Sequence, residues 1–305
     1  MTPSATPPIP MLGEILSLTA ALVWAVAMIL FRTASLETRP LVLNFFKNVV
    51  GIVLLASTLL LLGGFGSLLE ISSRDFWLLG LSAVIGLYAG DTLLFAGLKR
   101  IGASLPFLLS CLYAPTAVFF SWLLLGESLA DMILVGGIAI TAGIFLVSTD
   151  RLGLPEGVSR SDLLAGVLFG TTAPLLFALG LVITKEPLAH IPILPATLVR
   201  MVIGTAPLAF HLLLTGRTPE IVDAFRPSER WRILLPASVL GTYLGMLSWL
   251  GGIKYTEAST ASLLNQASPL FGIPLAALFL GERLTWRKIV GGMLAMGGIL
   301  VIFLR

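Results

Sequence analysis

Charged residues along this chain fall in short clusters, and between them lie apolar runs of about 20 residues, the length an α-helix needs to cross the hydrocarbon core of a bilayer. Ten such runs predict spanning helices at roughly 12–31, 41–62, 76–98, 104–125, 131–149, 162–184, 193–214, 231–253, 260–280 and 285–304. Glycine and proline recur inside them, as spanning helices tolerate. Ser73 before Trp77, and Ser228 before Trp231, are expected N-caps, each followed by an interfacial tryptophan. The longest polar links are 63–75, 150–161 and 215–230, and no soluble domain fits in any of them. Residues 1–11, with no positive n-region or small-residue cleavage site, are expected to form a disordered tail.

The polar punctuation repeats. LLLGESL around Gly126-Glu127 returns 155 residues later as LFLGERL around Gly281-Glu282, and the same offset joins Lys99 to Lys254, Ala103-Ser104 to Ala258-Ser259, Gly136-Gly137 to Gly291-Gly292 and Gly143 to Gly298. Upstream the offset is 153, pairing Arg32 with Lys185, Lys47 with Arg200 and Gly51 with Gly204. The chain thus divides into a first repeat at 12–149, a linker at 150–161 and a second repeat at 162–305. Five spans per repeat is an odd number, so the second enters the membrane from the opposite side. The expected fold is all-α, with ten transmembrane helices as two inverted five-helix repeats, a geometry that places a site near the midplane and suits alternating access. Gly86 and Gly90 recur as Gly241 and Gly245, each pair a G-x-x-x-G on one helix face, and are assigned to packing.

Composition removes other classes. With 57% hydrophobic and 11% charged residues the chain is far from the roughly 25% charged content of soluble domains. A formal net charge of +3 spread over many loops forms no basic stripe for nucleic acid. The single cysteine, Cys111, builds neither a disulfide nor a thiol metal cluster. No metalloprotease helix motif, nucleophile elbow, phosphate-binding loop or close carboxylate pair within a span is present, so neither an enzyme nor a cofactor is expected.

Ionisable groups inside spans are costly and are the default functional candidates. Lys47 in span two and Asp91 in span three lie roughly 10 Å inside the same face, so an ion pair is expected, static or acting as a gate. Asp91 is also a candidate carrier of a coupling proton. Arg200 is Lys47's repeat counterpart, but Asp91's counterpart is Met246, so Arg200 lacks the matching acid. It is the leading candidate to hold a substrate carboxylate or phosphate, unless it snorkels to the interface or reaches Glu186 or Glu14. Asn44 and Asn48 share Lys47's face. Asn265 and Gln266 before Pro269, and Ser110 and Tyr113 before Pro115, form two further polar clusters, where proline frees the carbonyls of Cys111 and Asn265 for a ligand or a neighbouring helix. Trp24 and Tyr113 are candidate pocket walls for an aromatic or cationic group; Tyr88, Tyr243, Trp249 and His211 are assigned to packing or the interface.

Two five-helix repeats bearing GLKRIGAS with LGESL and GIKYTEAS with LGERL, each closed by a glycine-rich helix, resemble the EamA family of the drug/metabolite transporter superfamily over nearly the whole chain. Lys99 to Ser104, Pro115, Gly126-Glu127 and Gly136 to Gly143, with Lys254 to Ser259, Pro269, Gly281-Glu282 and Gly291 to Gly298, carry the likeness, and Lys47 and Arg200 match a cationic position usual in the second helix of each repeat. The resemblance implies a ten-helix inner-membrane secondary transporter of metabolites, nucleotide sugars or drugs, with both termini in the cytoplasm. The charge count implies the opposite orientation: Arg74, Lys185, Lys254 and Arg305 lie on the face of the termini, against thirteen cations on the other face. The glutamate that small four-helix multidrug relatives carry mid-membrane in helix one is missing, since Glu14 stands at the start of span one.

Two intramembrane cations against one acid favour an anionic or zwitterionic substrate. Export of amino acids or similar metabolites is the leading expectation; a drug or organic-cation exporter comes second, then a channel or structural subunit. Expected partners are the small-molecule substrate, the bilayer and protons as coupling ion, for a monomer or homodimer in the inner membrane.

Overall fold

The structure, a computed structural model, describes residues 9–101, 109–127, 131–148, 159–268, 271, 275 and 286–303. Helix α1 (Leu12–Glu37) runs six residues beyond its expected end, and α2 (Pro40–Leu61) begins with proline at a position where the missing N–H costs nothing. A short α3 (Gly66–Leu69) occupies the first polar link. Helix α4 (Ser73–Ala83) continues without interruption through a π-helical turn (Val84–Gly90) into α5 (Asp91–Ile101). A 3₁₀ turn (Ser110–Leu112) leads into α6 (Tyr113–Phe120) and a second π turn (Ser121–Leu125). Then come α7 (Asp131–Ser148), α8 (Arg160–Leu188), α9 (Ile193–Leu214) and the amphipathic α10 (Thr218–Phe225) in the third link. Helix α11 (Trp231–Ser238) passes through a third π turn (Val239–Leu244) into α12 (Gly245–Tyr255), followed by α13 (Ala258–Asn265) and α14 (Trp286–Phe303).

Six of these stretches are long and apolar enough to cross a membrane: Leu12–Phe31, Leu41–Leu61, Ser73–Gly97, Arg160–Leu188, Ile193–Leu214 and Trp231–Tyr255. Tyr113–Leu125, Leu134–Gly143 and Ile289–Gly298 are shorter apolar helices. Among the described residues every regular element is helical. The protein is an all-helical membrane protein, because in lipid a helix satisfies its own backbone polar groups. Residues such as Val53, Leu60, Ile138, Leu168, Phe210 and Leu300 are exposed on its outside, as a lipid-facing surface requires.

The caps differ from expectation in detail. Ser72, not Ser73, caps α4, its hydroxyl accepting the Asp75 N–H at 3.1 Å. Ser228 makes no side-chain cap; its carbonyl instead accepts the Trp231 N–H at 2.9 Å in a turn. Trp77 is exposed, but the Trp231 indole donates to the Ala224 carbonyl at 3.0 Å and so fastens α10 to α11. The two tryptophans are therefore not equivalent, because α10 in the third link lies within reach of the Trp231 indole.

Glycine contacts occur in matched pairs. Gly143 packs on Gly291 and Ala295, and Gly298 packs on Gly136 and Ile140, which are the same positions displaced by 155. A Cβ at Gly90 would stand 2.7 Å from the Phe177 ring, and Gly245 is closed by the Trp24 ring. Gly86 meets Gly180, while Gly241 meets Ala27 and Phe31. The G-x-x-x-G glycines thus bring α4–α5 onto α8 and α11–α12 onto α1, the packing role read from sequence. Two of the three π turns sit at these glycines and begin at Val84 and Val239, again 155 apart. Leu43 at the start of α2 shares an apolar cluster with Leu212 at the end of α9, and Gly51 lies against Met201, so α2 and α9 run antiparallel through the centre.

Candidate functional site

Arg200, the eighth residue of α9, lies roughly 10 Å along that helix and is only 1% exposed. Its guanidinium carbon stands 5.3 Å from the Trp249 ring, and its Nε and Nη1 have no acceptor among the described residues. Neither acid within sequence reach takes it: Glu186 pairs with Arg74 at 2.8 Å and Glu14 accepts from the Thr256 hydroxyl at 2.9 Å. It does not snorkel. A buried guanidinium is costly in lipid, and here the face of the Trp249 ring covers it.

Tyr113, buried at the start of α6, is the electrostatic neighbour of Arg200, and its hydroxyl lies close to Ser262 and to the Trp249 indole N–H. The Trp24 ring lies 5.8 Å from that of Trp249, tilted at 47°, and is locked by donating its indole N–H to the Gly241 carbonyl, 2.8 Å away inside the π turn. Asn265 is buried with its Oδ1 unpartnered, on the same face of α13 as Ser262, which borders Tyr113. Five helices therefore contribute to a centre with one cation, three aromatic rings, unpartnered guanidinium nitrogens and a spare acceptor. Gln266 and Ser110, expected to join it, bind each other: the Gln266 amide donates to the Ser110 carbonyl at 2.9 Å. Pro269 and the Cys111 side chain lie outside the described residues.

Lys47, the eighth residue of α2, forms the expected ion pair, its Nζ 3.3 Å from Asp91 Oδ2 and 3.0 Å from Asn48 Oδ1. Both side chains are largely buried, at 11% and 16% exposure. Asn44 shows no partner for either amide atom, and Asn48 Nδ2, Thr92 and Thr242 are likewise buried with unpartnered atoms. The polar stripe of α2 thus faces inward. Because α2 and α9 are antiparallel, Lys47 and Arg200 enter this interior from opposite ends. Tyr88 approaches His211 at 3.4 Å and Tyr243 bonds Thr58 at 2.8 Å, contacts that belong to packing.

A third polar group was missed by sequence reasoning. Glu127 accepts the backbone N–H of Ala258 at 2.8 Å and of Ser259 at 3.1 Å, and the Ser259 hydroxyl at 2.7 Å, so it caps α13 from another part of the chain. Lys185 donates to the Ile253 and Thr256 carbonyls at the end of α12, while Lys254 donates to Leu188 and Ile191 at the end of α8, at 2.8 and 2.7 Å. Each lysine satisfies the other helix's terminal carbonyls. They are structural cations of one face, not free loop charges, because their partners are backbone groups that carry no side-chain signal. His190 bonds Asp75 at 2.8 Å beside them.

A family model described as the EamA-like transporter family matches residues 11–149 and 164–304. An uncharacterized transporter of Archaeoglobus fulgidus is 24% identical over 296 residues, 96% of this chain and 99% of its own. The uncharacterized transporter YvbV of Bacillus subtilis is 26% identical over 92% of this chain and 88% of its own. A probable terminal-alkyne amino-acid exporter of Streptantibioticus cattleyicolor is 44% identical over 69 residues, 23% of each chain. A solved crystal structure aligns over 96% of both chains with a TM-score of 0.79 at 18% identity, a likeness of fold.

Proposed function

The chain belongs to the EamA-like transporter family, and from that premise we propose that it is a secondary transporter that moves amino acids or related anionic and zwitterionic metabolites across the inner membrane, in the direction of export. The observation that carries this reading is Arg200, a buried guanidinium whose Nε and Nη1 have no acceptor among the described residues, beside Trp249 and Tyr113. Guanidinium binds carboxylate bidentately, the spare acceptor of Asn265 suits an ammonium, and the rings cover an apolar side chain. That the short match carries an amino-acid exporter's name supports the same class. Asp91, held by Lys47, is not free to attract an organic cation, which weighs against a drug exporter.

Ten spans in two inverted five-helix repeats are part of this proposal. The matched glycine pairs at offsets of 153 and 155, the exchange of α1 and α8 as packing partners, and the entry of Lys47 and Arg200 from opposite ends support it. Alternating access then exposes the Arg200 centre to each side in turn, and the Lys47–Asp91 pair serves as the coupling group, with Asp91 carrying the proton.

The test is uptake of radiolabelled neutral amino acids into proteoliposomes with and without unlabelled solute inside. The expected result is saturable, trans-stimulated uptake of at least one member. Arg200→Ala should weaken binding of that solute by about a hundredfold, the loss of one charge-assisted bidentate contact, while the purified variant keeps its helical content. Uptake that never saturates would indicate a channel, and unchanged affinity in Arg200→Ala would remove Arg200 from the site.

A further inference from the structure

Lys47 and Arg200 occupy equivalent positions of the repeat, each the eighth residue of its helix, yet among the described residues only Lys47 is met by an acid. Position 91 carries aspartate; position 246, its equivalent at an offset of 155, carries methionine. Met246 is buried at 6% exposure and stands one turn before Trp249, in one apolar cluster with Trp249, Tyr113 and Met201. The same helix face that presents the ring to Arg200 therefore presents Met246 where the first repeat presents a carboxylate.

We propose that the substrate's anionic group is a single carboxylate, and that it takes beside Arg200 the place that Asp91 takes beside Lys47. This rests on the reading of Arg200 as the substrate anchor. In the first repeat the site is occupied by the chain's own carboxylate; in the second, methionine supplies none, so the carboxylate comes from solution and the flexible thioether yields to it. The charge balance sets the class of ligand. Lys47 and Asp91 cancel, and Arg200 adds one positive charge that no acid among the described residues offsets. A monocarboxylate, or an α-amino acid whose ammonium reaches the Asn265 acceptor, leaves the centre without excess negative charge. A phosphate ester, carrying about 1.5 to 2 negative charges, would bury an uncompensated anion against a single guanidinium.

Placing the acid back decides the matter. In Met246→Asp the new carboxylate should occupy the position itself and pair with Arg200, so the purified variant should melt at least about 3 °C above Met246→Asn, a polar control of matched size. Adding Arg200→Gln should abolish that difference. Exchange by Met246→Asp should fall at least about tenfold below that by Met246→Asn, because the internal carboxylate competes as an intramolecular ligand. Sodium acetate should raise the melting temperature of the wild-type protein and not of Met246→Asp, and sodium phosphate at equal ionic strength should do neither. A Met246→Asp protein no more stable than Met246→Asn, or phosphate protecting better than acetate, overturns the proposal. The melting measurements need no transported solute, so they stand even where no member of the amino-acid panel is exchanged, which would instead sink the proposed function.

Discussion

Arg200 and Lys47 show what depth and spacing reveal about single residues and what they leave out. The Lys47–Asp91 pair was legible because two antiparallel spans put both groups roughly 10 Å inside one face, and the 3.3 Å contact follows. Arg200 was legible by the absence of an acid at position 246. Trp249 was not, since a tryptophan within a span is ordinarily packing, and only the fold sets its ring 5.3 Å from the guanidinium. Asp91→Asn cannot change its charge, so any pH dependence of transport carried by that carboxylate should vanish across the acid-to-neutral range, as pH-jump exchange in proteoliposomes would register. An unaltered profile would leave Asp91 a packing partner of Lys47. The same substitution withdraws the ammonium's counter-ion and should cost about 1–3 kcal/mol, read from the thermal midpoint.

At the scale of elements, the apolar runs located the helices, and the overruns at α1, α4 and α8 arise because helical turns continue into the polar margins where water begins. The π turns at Val84–Gly90 and Val239–Leu244 had no expectation in the sequence beyond their glycines. An extra residue per turn there lets a carbonyl such as that of Gly241 turn outward to the Trp24 indole. Glu127 reaches across from the end of the π turn after α6 to cap α13. Glu127→Gln should keep the shape of the cap and lose its charge, and Glu127→Ala should lose both. The expected order of stability is wild type, then Gln, then Ala, with a total cost of roughly 1–2 kcal/mol, and hydrogen exchange at Ala258 and Ser259 should rise in the same order. Equal protection in all three would show that the N-terminus of α13 is satisfied without the carboxylate.

For the molecule as a whole, under the proposed ten-span topology, setting aside Lys185 and Lys254 as bound to backbone carbonyls would leave two cations of the sequence count, Arg74 and Arg305, on the face of the termini against thirteen on the other. The imbalance favours both ends outside the cytoplasm. Alkaline phosphatase fused after Arg305 should accordingly be active, and green fluorescent protein at the same place dark; the reverse pattern would restore the orientation that the family resemblance implies. What the sequence determined alone was the number and rough extent of its apolar segments, their repetition at 153 and 155, and the few charges a bilayer would resist, because hydrophobic length and the cost of buried charge are local properties. Which of those charges found a partner was decided only by the tertiary structure. Arg200 meets the Trp249 ring and no acid among the described residues, Lys185 and Lys254 settle on the carbonyls of each other's helices, and Glu127 caps a helix more than a hundred residues away, because satisfaction of a polar group in lipid depends on what the packed neighbours leave within hydrogen-bond reach.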